Sequence, residues 1–124
     1  MREDRRGLGT RGETLATDYL KQQGYTILAR NWRWPQLGEM DIVARDGDCL
    51  AFVEVKTRRT RRFGSPEEAI TLDKQARLIA LAQAYLAEEV GTQDVSWRID
   101  AVAVEISPRG RVQRLELFRN AVEG

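Results

Sequence analysis

Two runs of β-forming residues, Glu39 to Arg45 and Cys49 to Thr57, are joined at Asp46-Gly47, and this pattern constrains the fold more than any other. Asp-Gly between alternating apolar segments is a strong short-range signal for an antiparallel hairpin. Both strands carry charge among apolar residues. Gly38-Glu39-Met40-Asp41 opens the first, and Val53-Glu54-Val55-Lys56 closes the second. Burying charge without a partner is costly, so three carboxylates and a lysine in such strands require a physical reason.

Strand alternation puts Glu54 and Lys56 on one face, roughly 6.5 Å apart, together with Leu50 and Phe52. Val53 and Val55 take the other face. In the first strand Glu39, Asp41 and Val43 share a face, with Met40, Ile42 and Ala44 opposite. A loop of two or four residues places Asp41 and Glu54 on the same face, and a loop of three separates them. One even register sets Asp41 against Glu54 and Glu39 against Lys56; the other sets Glu39 against Glu54 with Asp41 diagonal. Either one juxtaposes like charges, which destabilises the pair unless a cation lies between them. The competing account is a half-exposed hairpin, apolar inside and charged outside. It explains Val53 to Lys56 well and Leu50 and Phe52 poorly, because those two extend the charged face into apolar surface. A face apolar at one end and acidic at the other reads as the mouth of a site.

Composition narrows the chemistry. The chain has no histidine and one cysteine, Cys49. Ser-His and Cys-His catalysis, an internal disulfide and a cysteine or histidine zinc site are therefore excluded. Hydrolysis would have to run on carboxylates, lysine, hydroxyls and a hard, oxygen-bound metal such as magnesium. The 124 residues fit a single domain spanning 1–124, and a hydrophobic content of 42% argues against disorder. No apolar run approaches the roughly 18–20 residues of a membrane span, and no signal-like segment follows Met1-Arg2-Glu3-Asp4-Arg5-Arg6. The expectation is a cytoplasmic protein without a membrane partner. The net charge of +1 is uninformative about nucleic acid, but its distribution is less so. Arg58, Arg59, Arg61 and Arg62 follow Lys56, and Arg2, Arg5, Arg6 and Arg11 crowd the N-terminus. These form a basic rim if the carboxylates lie in a cleft, and a solvated loop otherwise.

The remaining elements follow from periodicity and breakers. Thr10 is expected to begin a helix with Thr10-x-x-Glu13 as a capping box, an apolar stripe through Ala16, Tyr19 and Leu20, and Gly24 as its stop. Tyr25 to Arg33 reads as a strand broken by Pro35 and Gly38. Ser65-Pro66-Glu67-Glu68 resembles a helix start of a single turn. The main helix is predicted from about Thr71 to Glu89, with a stripe of Leu72, Gln75, Ala76, Ile79, Ala82, Gln83 and Leu86, ended by Gly91. Val95 to Ile106 reads as a long strand, and Arg111 to Phe118 returns as an edge strand after Pro108-Arg109-Gly110. The order α-β-β-β-α-β-β suggests a mixed sheet with helices packed on it.

Several residues carry two readings. Glu13 is either a further carboxylate of the site or the capping-box partner of Thr10, and locally the capping box is the simpler account. Lys74 and Gln75 open the main helix, where they could reach the site or nucleic acid, although a solvated helix start explains them as well. Asp100, in the apolar strand Ile99 to Val104, reads as structural, with Arg98 or a neighbouring strand as partner. Trp97 reads as core; Trp32 and Trp34 flank a loop and could stack on bases.

Taken together, Glu13, Asp41 and Glu54-Val55-Lys56 resemble the D…(D/E)-x-K signature of restriction-endonuclease-like nucleases. More closely, the chain resembles the YraN family of small bacterial proteins, which are themselves similar to archaeal Holliday-junction resolvases. The carrying residues are Gly12-Glu13 with Ala16 and Tyr19-Leu20, Gly24-Tyr25, Asn31-Trp32-Arg33, Gly38 to Val43, Phe52 to Arg58, Phe63-Gly64, Lys74-Gln75 and Arg98-Ile99-Asp100. They cover nearly the whole chain. Met40 stands where the wider signature often has proline. The resemblance implies a restriction-endonuclease-like fold, with a mixed central sheet flanked by helices. It also implies that Asp41 and Glu54 hold the metal, that Lys56 assists the attacking water and that Glu13 completes the site.

On that basis the expected function is a Mg2+- or Mn2+-dependent DNA endonuclease, with the Val55 carbonyl as a further oxygen ligand. Arg58, Arg59, Arg61, Arg62, Lys74 and Gln75 would contact nucleic acid. A branched DNA substrate is implied only by the likeness to resolvases, and symmetric cutting of two strands would require a homodimer. The alternatives are a nucleic-acid-binding protein of the same fold without efficient cleavage, and an adaptor whose charges form structural ion pairs.

Overall fold

The computed structural model of the chain describes residues 5–59, 70–91 and 93–122. Arg2, Arg61, Arg62, Phe63-Gly64 and the expected helix start at Ser65-Pro66-Glu67-Glu68 lie outside these residues.

The first helix, α1, spans Arg5–Gln22 and so begins five residues before Thr10. Leu8 packs on the same core as Leu15, Ala16 and Leu20, so the apolar face extends a turn further toward the N-terminus than the capping pattern suggested. Thr10 is an interior helical residue whose carbonyl accepts the Thr14 hydroxyl, and the capping-box reading of Glu13 is corrected accordingly. Gly24, at φ 95°, ends the helix as expected, with Tyr25 N–H donating to the Leu20 carbonyl at 2.9 Å.

Three strands follow: β1 (Thr26–Trp34), β2 (Gly38–Asp46) and β3 (Cys49–Arg58). The second helix, α2, covers Leu72–Tyr85 and continues into a single π-helical turn, Leu86–Val90, closed by Gly91 at φ 74°. Strands β4 (Ser96–Ile106) and β5 (Val112–Val122) complete the chain, the latter running four residues beyond the expected Phe118. The sheet order is β1-β2-β3-β4-β5, antiparallel throughout except for the parallel pair β3/β4, whose crossover carries α2. This is the expected mixed α/β arrangement with the expected element order.

Strand β3 is central and continuously buried from Leu50 to Val55. Val53 and Val55 pack toward α1 with Ala16 and Leu20, and Leu50 and Phe52 pack toward α2 with Leu78 and Leu81. The apolar stripe of α2 differs from expectation. Leu78, Leu81 and Ala82 are its buried residues, while Leu72, in its first turn, is 81% exposed. The expected stripe is rotated: its Ile79, Ala82 and Leu86 do pack on the core, joined by Leu78 and Leu81, whereas Leu72, Ala76 and Gln83 are exposed. Thr71 caps α2 as expected, its Oγ1 accepting the Lys74 N–H at 3.2 Å.

Asp100 is fully buried and structural. It accepts from Arg98 Nε (2.9 Å), from the Tyr25 hydroxyl (2.9 Å) and from the Asn120 N–H (2.8 Å). Arg98 also donates to Asp46 Oδ2 at 2.7 Å. The β4/β5 register shifts between Ile99 and Ala101, and Asn120 adopts φ 54° there, so the bulge delivers a backbone N–H to the carboxylate. One buried acid thereby ties together the chain around β1, β2, β4 and β5. Burial and the charge of Asp100 hold the Tyr25 hydroxyl above its ordinary range.

Candidate functional site

The hairpin between β2 and β3 has a two-residue loop, Gly47-Asp48, because Asp46 pairs with Cys49. The turn lies one residue later than Asp46-Gly47, and Gly47 supplies its positive φ of 61°. The ladder then runs up to Ile42 opposite Val53. One step further along the same register stand Asp41 and Glu54, so an even loop brings the two carboxylates together.

At that step the regular pairing gives way to a side chain. Asp41 Oδ2 accepts the Val55 N–H at 2.8 Å. Strict alternation is lost at the same place: Met40 packs with Val43 on the α2 side, although Ile42 and Ala44 face α1. A cleft of about 580 Å³ opens here, lined by Leu8, Gly9, Glu13, Asp41, Glu54 and the strand from Val55 to Arg58.

Glu54 is 3% exposed, and its Oε2 accepts no hydrogen bond. Lys74 Nζ lies 3.0 Å from that oxygen, close enough for an ion pair but off the line of a hydrogen bond. Burial, followed by the hydrogen bond and charge of Glu54, pushes the Asp41 carboxyl up to about 9, and the more distant Glu13 acts in the same direction. Two adjacent carboxylates in a partly dry cleft ionise together only beside a countercharge, supplied by Lys74 or by a bound cation.

Glu13 reaches the cleft from α1, and its Oε1 accepts from Asn31 Nδ2 at 2.7 Å. Asn31 sits in β1 at φ 53°, a conformation that asparagine tolerates better than most residues. It orients Glu13, and nothing in a single asparagine within a β-rich run marks that role in the sequence. Gly12 sets the depth of the helix: a Cβ there would fall 1.8 Å from Thr57 Oγ1, so only glycine lets α1 lie this close to β3.

Lys56 and Arg58 line the cleft, and among the described residues Lys56 has no ion-pair partner. Glu39, one expected partner for Lys56, pairs instead with Arg33 across the β1/β2 ladder. Arg59 donates to the Ser107 carbonyl at 3.1 Å, and Arg11 to the Gly110 carbonyl. Gln75 lies apart from the carboxylates, its amide donating to the Ile70 carbonyl at 3.2 Å. Trp32 and Trp34 stack on each other and pack against α2, with Tyr85 edge-on to Trp32; Trp97 packs against Phe52.

Asp41 and Glu54 are the residues that could hold a divalent cation: a buried oxygen that accepts no hydrogen bond stands beside a carboxyl that burial and the neighbouring acid push up. Among the described residues, no three acidic side chains converge as a ready cage, so backbone oxygen or solvent would complete the shell.

Fold and cleft define a mixed α/β sandwich in which two adjacent strands carry a two-carboxylate cleft, Glu54 buried and Asp41 half-buried. The chain belongs to the family described as uncharacterised protein family UPF0102, whose sequence pattern matches residues 12–104. A UPF0102 protein of Symbiobacterium thermophilum is 49% identical over 116 residues, covering 94% of this chain and 96% of the relative. UPF0102 proteins of Roseiflexus castenholzii (49% over 116 residues, 94% and 93% covered) and Caldicellulosiruptor saccharolyticus (42% over 118 residues, 95% and 98% covered) are similarly close. The matched region holds Glu13, Asp41, Glu54 and Lys56. Among the described residues, no helix is long and apolar enough to cross a membrane.

Proposed function

We propose that the chain is a Mg2+- or Mn2+-dependent DNA endonuclease of restriction-endonuclease-like architecture. The observation that carries this reading is the pairing of half-buried Asp41 with buried Glu54 on adjacent strands, with the Glu54 Oε2 accepting no hydrogen bond in a cleft that also receives Lys56.

Asp41 and Glu54 hold the cation, with the Val55 carbonyl as the backbone oxygen. When bound, the metal lowers the pKa of water and stabilises the negative charge that accumulates on the phosphoryl group. Lys56 orients the attacking water and offsets that charge. Asn31 fixes Glu13 at the cleft wall. Arg58, at the rim, binds a phosphate without reading sequence. The likeness to junction resolvases favours branched DNA as substrate, cut symmetrically by a homodimer.

The test is cleavage of labelled four-way junction, flap, single-stranded and duplex DNA with manganese, wild type beside Asp41→Asn and Lys56→Ala. Cleavage lost in both variants supports the assignment. Equal cleavage in all three points to a contaminant and removes the support.

A second reading is a nucleic-acid-binding protein of the same fold without efficient cleavage. The lack, among the described residues, of a third converging acid favours it. Salt-dependent DNA binding that survives both substitutions, with no cleavage by the wild type, would select it.

A further inference from the structure

Lys74 occupies the third position of α2, after the Thr71 cap. A lysine in the first turn is locally unfavourable, because its charge opposes the positive end of the helix dipole. Such a local conflict is expected where a tertiary interaction outweighs it. Here Nζ stands 3.0 Å from Glu54 Oε2, with side-chain exposure of 27% for the lysine and 4% for the glutamate. The contact joins the start of α2 to the middle of the central strand. It meets the same oxygen that lacks a hydrogen-bond donor and that the proposed cation requires.

We propose that Lys74 is a built-in countercharge for the acidic site: it neutralises Glu54 while the cation is absent and must yield Oε2 when the cation binds. This rests on the reading of Asp41 and Glu54 as a metal site. Lys74 is then a positioning residue with two opposed effects. It stabilises the metal-free fold, because Glu54 would otherwise be a buried charge without a partner. It also weakens cation binding, because a fixed positive charge competes for the same oxygen. A lysine that only solvates the helix start would do neither. Lys56, on the same strand as Glu54 but without an ion-pair partner among the described residues, is left for the substrate.

The experiment is a titration with MnCl2 alone, read by calorimetry, with the melting temperature of the metal-free protein measured in parallel. The proteins are the full-length wild type, Lys74→Met, Lys74→Arg and Asp41→Asn. Lys74→Met is expected to melt lower without metal and to bind Mn2+ about fivefold more tightly, the factor expected for loss of one partly exposed ion pair. Lys74→Arg should keep both wild-type values. Lys74→Gln, which retains a neutral donor, serves if Lys74→Met does not fold. Wild-type binding that Asp41→Asn abolishes, with neither neutral variant tighter, overturns the role of Lys74 and leaves the metal site standing. An absence of binding in the wild type and both neutral variants overturns the two together.

Discussion

The Asp41 carboxylate accepts the Val55 backbone N–H at 2.8 Å, at the point where the β2/β3 ladder gives way. A side chain thus takes the place of a strand partner on the β2 side, and the Glu54 carboxylate lies between this second acid and Lys74. The acidic cleft is a consequence of how the sheet is built, and stability and function compete within it.

That competition is visible as pH dependence. The Asp41 carboxyl is raised from 3.8 to about 9, chiefly by burial and then by Glu54. A raised carboxyl means that the folded state retains a proton that the unfolded chain has lost. Its contribution is fully present below pH 3.8 and is lost as pH rises toward about 9. The slope is at most about 1.4 kcal/mol per pH unit. We expect the metal-free protein in chelator to melt progressively lower across this window, and Asp41→Asn to flatten the trend. Manganese should restore stability most at the alkaline end, where the pair gains most from a cation. An unchanged slope in Asp41→Asn would show that Asp41 is not the titrating group.

Gly12 and Gly9 lie one turn apart in α1 and predict opposite outcomes. A Cβ on Gly12 meets Thr57 Oγ1 at 1.8 Å, whereas one on Gly9 has nothing within 4 Å. Gly12→Ala must push the helix off β3 and carry Glu13 with it, at a cost of about 1–3 kcal/mol or more. Gly9→Ala should be neutral or stabilise by roughly 0.5–1 kcal/mol through helix propensity. Chemical denaturation of the two variants decides the matter. Equal effects would mean that α1 does not sit on Thr57 as described.

The strength of the hairpin signal explains what could be read in advance. Asp-Gly marks the hairpin and favours an even loop, which puts the acids on one face, but it leaves the register open; the loop at Gly47-Asp48, one residue later, is what sets Asp41 in line with Glu54. The local pattern at Glu13 was misleading for a physical reason. Thr10 three residues ahead mimics a cap, while the extra helical turn depends on Leu8 finding the core, a tertiary contact. The role of Asn31 was hidden, because its partner Glu13 lies 18 residues away along the chain; Lys74 was legible as a residue able to reach the site, but only the fold pairs it with Glu54. The rotation of the α2 stripe has a simpler origin: Leu72 is apolar but sits in the first turn, exposed.

Asp100 offers a control that separates fold from site. It is fully buried, with Arg98, Tyr25 and Asn120 all donating to it. Asp100→Ala leaves Arg98 without its buried acceptor and should cost about 3–5 kcal/mol. On the proposed metal-site reading, an increment that manganese adds to the melting temperature should persist in this variant wherever it still folds, because Asp100 does not line the acidic cleft. Loss of the increment at retained fold would place Asp100 in the site after all.

Lys56 should behave in the reverse way. It is half-buried at the cleft wall, and among the described residues it has no ion-pair partner, so removing its charge leaves no acid uncompensated. We expect Lys56→Ala to change stability by no more than about 0.5 kcal/mol. Cleavage should fall by about 10²- to 10⁴-fold, the range for losing a group that positions or polarises the attacking water. On the proposed nuclease reading, affinity for DNA should fall only slightly, because Arg58 and other cations would share the phosphate contacts. Parallel measurement of melting temperature, cleavage rate and DNA binding on this single variant separates the roles. A large loss of stability would make Lys56 a structural countercharge, and cleavage at the wild-type rate would remove it from the chemistry.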